Sequence, residues 1–210
     1  LLELGYFITK TNSCTFLMAG RPPIFDEEKV LEKARELFWT RGYEATSLDQ
    51  LLTVMGLGKS SFYHAFGSKK ELFEKIMDRF VSDAIHRLAT DLPSHPRPME
   101  RIREFFRAIA GSPSHLHRKG CFMGNTIVGL MNTEHSLSAR AAKKLERLEE
   151  LFRTYIEAAQ QSGELRTKED PAVLALYLLT VWNGLNITRR VHSEPEKLRP
   201  LIELQLQVLK

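Results

Sequence analysis

Cysteine is almost absent: Cys14 and Cys121 are the two in 210 residues. They lie far apart with no paired spacing, which argues against a disulfide framework and for a reducing compartment, the cytoplasm. Strand patterning is missing too; apolar residues recur at helical spacing almost throughout. No apolar run approaches the ~20 residues a bilayer crossing needs, so no membrane partner is expected. There is no Ser-His-Asp arrangement, no phosphate-cradling glycine loop and no close carboxylate pair. Glu149-Glu150 and Asp26-Glu27-Glu28 lie on helix faces and read as solvated, so the chain is not expected to be an enzyme or to need a cofactor. His115, His117 and Cys121 come nearest to a metal set, but their spacing is loose and a fourth ligand is lacking, so no metal is expected. Charge of one sign is in small excess, +4 with a pI near 9.1. That lean alone does not identify a nucleic-acid binder.

What is present is apolar mass: 43% of the residues are hydrophobic, enough for a real core. Residues 1–19 read as an N-terminal extension outside the fold. Met18-Ala19-Gly20-Arg21 marks a natural start, although Leu2, Leu4, Tyr6, Phe7 and Ile8 are apolar enough to pack. Arg21-Pro22-Pro23 is an extended basic arm. Asp26 caps a first helix with Val30, Leu31, Ala34, Leu37 and Phe38 inside, and Gly42 stops it. A second helix is expected from Thr46, boxed by Asp49. Gly56-Leu57-Gly58 turns into a third, on which Phe62 and Phe66 share the inner face. Ser68 and Glu71 form a capping box for a long fourth helix, ending before the Pro-rich stretch 92–98.

Beyond that break, a fifth helix carries Ile102, Phe105, Phe106 and Ile109. His115 to Gly120 reads as a polar loop, and Cys121 to Met131 as a charge-free helix buried on most sides. Ser136 caps a long helix with the stripe Ala141, Leu145, Leu148, Phe152, Tyr155 and Ala159. Asp170-Pro171 opens a helix to about Val191, apolar nearly all round. Gly184 within it costs roughly 1 kcal/mol against Ala unless close backbone approach returns it. A last helix is expected from Pro200, after a looser turn at 195–198. Two such apolar helices exceed what one subunit must cover, and a helical dimer interface is their natural outlet.

The stretch Thr46–Lys70 organises this pattern. From Gly56 to Lys70 it has three lysines and no acid, with Ser60, Ser61, Tyr63 and His64 among them. Cations for phosphate, short hydroxyls for close approach and flat rings for packing suit a surface laid against nucleic acid. Helix N-termini at Thr46, Gly58 and Ser68 each offer free N–H groups to phosphates.

Gly42-Tyr43-Glu44-Ala45-Thr46-Ser47, the Gly56-Leu57-Gly58-Lys59 turn and the run from Phe62-Tyr63-His64-Ala65-Phe66-Gly67-Ser68-Lys69-Lys70 to Glu71-Leu72 resemble the DNA-binding domain of TetR-family transcriptional repressors. The likeness covers about Gly20 to Phe80. It implies an all-α protein of about nine helices: a three-helix helix-turn-helix domain at 20–67 and a larger ligand-binding and dimerisation domain at 68–210. It further implies a homodimer through the two C-terminal helices, a double-stranded DNA operator that is palindromic, and a small-molecule inducer. By position, Thr46 and Ser47 at the second helix N-terminus, Tyr63 and Lys69 fall to phosphate, and Lys59, Ser60, Ser61 and His64 lie nearest the bases. Gly58 departs from the commoner Ser or Thr, so a hydroxyl contact there is lost. Candidate lining residues for the inducer are Phe105, Phe106, Ile109, Cys121, Phe122, Asn125, Thr126, Phe152, Tyr155 and Trp182, although such stripes are usually core. Asn125 is the most pointed, since an amide on so apolar a helix needs a partner. Cys121, after Arg118 and Lys119 at a helix start, reads either as a small buried hydrophobe or as an electrophile or redox sensor, as in some members of the family.

Overall fold

The computed structural model describes residues 25–79 and 97–209, and every regular element among them is helical. In order these are α1 (Glu27–Arg41), α2 (Leu48–Met55), α3 (Lys59–Phe66), α4 (helical over 69–79), α5 (Pro98–Ala110), α6 (Ser114–Lys119), α7 (Phe122–Leu130), α8 (His135–Gln161), α9 (Pro171–Val191) and α10 (Pro195–Leu206). A 3-10 turn, Gln207–Leu209, closes the series. The expectations for residues 1–19, the 21–23 arm, Cys14, the continuation of the fourth helix beyond residue 79 and the Pro-rich stretch up to residue 96 lie outside the described residues.

Two apolar clusters hold the helices together, and α8 runs through both. The first joins α1–α4 to α7 and the start of α8: Phe38, Phe62 and Phe73 pack with Phe122, Met123, Leu137 and Ala141. The second joins α5, the rest of α8, α9 and α10 around Phe106, Phe152, Tyr155 and Leu178. Ion pairs tie α4 to the turn before α8 and to α8 itself. Lys70 reaches Glu134 at 3.4 Å, and Asp78 binds both Arg140 and Lys144, the latter at 2.7 Å.

Several boundaries differ from the sequence reading. The second helix starts at Leu48, because Ser47 and not Thr46 is its cap. Ser47 Oγ accepts the Gln50 N–H at 3.2 Å while Gln50 Oε1 accepts the Ser47 N–H at 3.0 Å. Thr46 is fully buried and donates its hydroxyl to the Gly42 carbonyl at 2.7 Å. The expected loop at 115–120 is helical as α6, which begins after Pro113 and stops at Gly120, where φ is +66°. Its signal was weak because a single apolar residue, Leu116, marks its inner side. α7 is buried on one face and open on the other: Val128 is 76% exposed. Glu134 precedes α8 without a side-chain cap bond, in place of the expected Ser136.

α10 starts five residues earlier than expected, with Pro195 at its first position, and carries Pro200 inside; Pro200 is exposed, so the missing N–H falls on a solvent-facing turn. One further correction concerns α9. By length and composition alone it could cross a bilayer, its best 18-residue window having a mean hydropathy of 1.3. Here one side of it, Leu174, Leu178, Val181 and Leu185, is buried in the second cluster.

Candidate nucleic-acid interface

The α1–α4 unit is built on aromatic packing. Phe62 and Phe66 turn inward from α3, their ring centroids 5.8 Å apart, and Phe66 meets Phe25 at 6.1 Å. With those two rings fixed at i and i+4, the opposite face of α3 is left to solvent. Lys59, Ser60, Ser61, Tyr63 and His64 are all exposed. Gly56, in the left-handed conformation at φ +69°, ends α2 and allows the tight turn into α3. Gly58 caps α3 without a side-chain bond, leaving the first backbone N–H groups of that helix open.

The three expected N-termini are not equivalent. At α2, Ser47 is exposed and its hydroxyl hydrogen is free to donate while its oxygen accepts from Gln50. At α4, Ser68 accepts from the Glu71 N–H at 3.1 Å, but the Ser68 N–H goes to the Phe66 carbonyl, so only half of the expected box forms. The Glu71 carboxylate folds back over Gly67, close to where a Cβ would stand, and so brings an acid to this N-terminus. The lysines also differ. Lys69 holds its ammonium 4.3 Å over the Tyr43 ring, and burial lowers its pKa; Lys70 is engaged with Glu134. Lys59 makes no ion pair among the described residues.

A cleft of about 1130 Å³ opens between the end of α1 with its turn into α2 and the surfaces of α6, α7 and α9. Four of the expected lining residues, Cys121, Phe122, Asn125 and Thr126, border it. Asn125 finds its partners there: its amide donates to the Lys119 carbonyl at 2.8 Å, and its Oδ1 accepts from Arg190 at 2.6 Å. Cys121 caps α7, its Sγ accepting the Gly124 N–H at 3.3 Å. The other six do not border this cleft. Phe105, Phe106, Ile109, Phe152, Tyr155 and Trp182 pack in or against the second cluster, with Phe105 stacked on Trp182 at 5.1 Å. His117 is buried and His115 exposed. The sequence reading missed Trp39, Asn183, Asn186 and Arg190, which also line the cleft. The signal available was Arg189-Arg190 at the end of an otherwise apolar helix.

Comparison with known proteins decides the lineage. The description "Bacterial regulatory proteins, tetR family" matches residues 30–76, and "Tetracyclin repressor-like, C-terminal domain" matches residues 98–203. The chain belongs to the TetR family. Within that family it is similar to the HTH-type transcriptional repressor ComR of Escherichia coli (strain K12). The two are 28% identical over 202 residues, which cover 95% of this chain and 96% of ComR. The repressor DhaR of Mycobacterium sp. (strain GP1) is 24% identical over 191 residues, covering 90% and 94%. Among solved structures, a cysteine mutant of the TetR-family regulator CifR complexed with 26-bp operator DNA superposes with a TM-score of 0.77. It is 26% identical, with 90% of this chain and all of that one covered. The first match spans most of α1, all of α2 and α3 and the first turns of α4, and the second spans α5 to α9 and most of α10.

Proposed function

We propose that this TetR-family regulator is a homodimeric repressor that holds a palindromic operator through α3 and releases it when a small molecule occupies the body. The observation that carries this reading is the division of α3 into a buried aromatic side and an exposed side of Lys59, Ser60, Ser61, Tyr63 and His64 on an acid-free stretch. In the reading, residues 20–67 form the head and 68–210 the body. Lys59, Ser60, Ser61 and His64 face base edges, while Tyr63, Lys69 and Ser47 fix the register on phosphates. Thr46 leaves the phosphate set, since its hydroxyl is spent on Gly42. That CifR is complexed with operator DNA supports double-stranded DNA as the partner of the head.

Dimerisation would use α9 and α10. Val173, Leu176, Ile187 and Val191 form an exposed apolar stripe on α9, joined by Leu204 and Val208 on the last turns of the chain. Gly184 lies on the exposed side with nothing within 4 Å of an added Cβ, the open space a crossing helix backbone would fill. Two heads then meet half-sites ~35 Å apart, so a small shift of the heads abolishes the fit.

Footprinting tests the operator. One palindromic site, lost on addition of an inducer, supports the reading; an unbounded footprint indifferent to small molecules rejects it in favour of a nucleoid-type binder. Light scattering tests the interface: Gly184→Leu is expected to give monomers, and an unchanged dimer would exclude α9 from the contact.

A further inference from the structure

The cleft carries a concentration of positive groups that DNA reading leaves unused. Arg190, at the end of α9, lies so close to Gly120 that a Cβ there would stand 2.6 Å from its Nε and Nη2. Nη2 donates to the Lys119 carbonyl and to Asn125 Oδ1, both at 2.6 Å. These acceptors are neutral, so the guanidinium is oriented without its charge being cancelled. Arg189, one residue earlier, is 7% exposed; its Nη2 reaches Asn186 Oδ1 at 2.7 Å and its Nε has no partner.

Among the described residues neither arginine pairs with a carboxylate; Arg190 is exposed, whereas for the buried Arg189 a guanidinium without a counter-ion is costly. The asparagines that hold the two arginines, Asn125 and Asn186, both border the cleft. Its bordering acids are Glu36 and Glu44, and Glu36 is already spent on Lys119 at 2.7 Å. Trp39 and Phe122 give the rest of the wall an apolar character.

We infer that this cleft binds a small amphipathic organic carboxylate, its acid group received by Arg190 beside Arg189, whose Nε has no partner, and its apolar body lying along Trp39 and Phe122. A planar guanidinium fork matches a carboxylate, and a largely apolar cleft with a few fixed polar groups matches a small organic ligand. The position also supplies a route to the head. Lys119, whose carbonyl Arg190 grips, ties α6 to Glu36 on α1 and holds its ammonium 5.4 Å over the Trp39 ring. A carboxylate at Arg190 competes with Glu36 for that lysine and loosens α1. This consequence rests on the proposed release of the operator; the binding assignment does not.

The test uses the full chain with octanoate and phenylacetate, their neutral amides and inorganic phosphate as probes. The two tryptophans, Trp39 and Trp182, are separated by the variants Trp182→Phe and Trp39→Phe. Octanoate or phenylacetate is expected to shift the Trp39 emission in Trp182→Phe and to raise the melting temperature. The amides are expected to bind at least about tenfold more weakly, and Arg190→Gln to lose a similar factor while Arg190→Lys recovers part of it. If Arg190→Gln fails to fold, the amide comparison in the parent chain still decides.

Amides binding as well as acids overturns the assignment, as does binding of phosphate alone, binding by no acid of the panel, or a response of Trp182 in place of Trp39. Acid binding in the cleft with the operator still held leaves the site standing and refutes release. A neutral compound that frees the operator while no acid binds leaves release standing and overturns the carboxylate site.

Discussion

Thr46 and Ser47 are adjacent hydroxyl residues at one helix start, and the structure gives them opposite work. In Thr46→Val the side-chain volume is kept and a buried donor is removed from the Gly42 carbonyl, 2.7 Å away. Gly42 is exposed, so water can take over that carbonyl, and the cost falls at the low end of a buried hydrogen bond, about 1 kcal/mol. In Ser47→Ala the cap on the Gln50 N–H is lost, again about 1 kcal/mol. Both variants therefore melt roughly 2–4 °C lower than the parent. They part on DNA. Ser47→Ala also loses the donor offered to phosphate and binds all sequences about tenfold more weakly, whereas Thr46→Val binds as the parent does. Fluorescence anisotropy on operator and on random duplex at 25 °C, beside thermal melts, reads both quantities. Weakened binding by Thr46→Val with Ser47→Ala unaffected would refute the assignment.

Tyr63→Phe and Lys69→Ala are expected to weaken binding on operator and random DNA alike; a change in sequence preference, scored by selection from a randomised duplex pool, would contradict their phosphate role. Asp78 gives a pH dependence. Burial pushes its carboxyl up, but hydrogen bonds from Arg140 and Lys144 outweigh this and hold it below its usual value. A depressed folded pKa means the contribution is whole above the unfolded value of about 3.9 and is lost as pH falls through the lower folded value. The parent should therefore lose melting temperature below about pH 4 more steeply than Asp78→Asn, followed by circular dichroism. At pH 7 that variant leaves the Lys144 ammonium buried without its partner and costs roughly 1–3 kcal/mol, less than a fully buried pair because Asp78 is 41% exposed. Cys121→Ser keeps an acceptor for the Gly124 N–H at the α7 start, so fold and small-molecule response should survive; a response lost with DNA binding intact, in a reporter assay, would make the thiol a sensor.

The head was legible in the sequence because its signals are local. Asp26, Gly56 and Gly58 set helix ends within one turn, and the i, i+4 spacing of Phe62 and Phe66 identifies the buried face of α3. The choice between Thr46 and Ser47 was not legible, since it depends on Gly42 standing where a neighbouring hydroxyl can reach it. The body gave up its long helices, but not α6, whose inner side includes His117, or the early start of α10, where Pro195 serves as well as Pro200. The cleft was half legible. Cys121, Asn125 and Thr126 lie on one short segment, whereas Trp39 and Arg190 join them only through contacts between helices far apart in sequence.

Those contacts bear on how a signal could cross the molecule. Phe122 on α7 packs against Trp39 on α1 at 6.0 Å and Phe73 on α4 at 5.5 Å, and Phe73 in turn meets Phe38 edge-on at 4.8 Å. The head is therefore not hung on the body by a linker; its aromatic core continues into α7. A close-packed core of this kind resists graded deformation and passes a displacement on. The polar counterpart is the Lys119–Glu36 pair, which lies on the cleft wall beside the same tryptophan. Glu36→Gln separates the two links. It removes the ion pair and leaves the rings in place. If the pair holds α1 in the DNA-reading position, Glu36→Gln weakens operator binding without an inducer and shrinks the further loss an inducer causes. If the aromatic stack alone carries the signal, both quantities stay at their parent values.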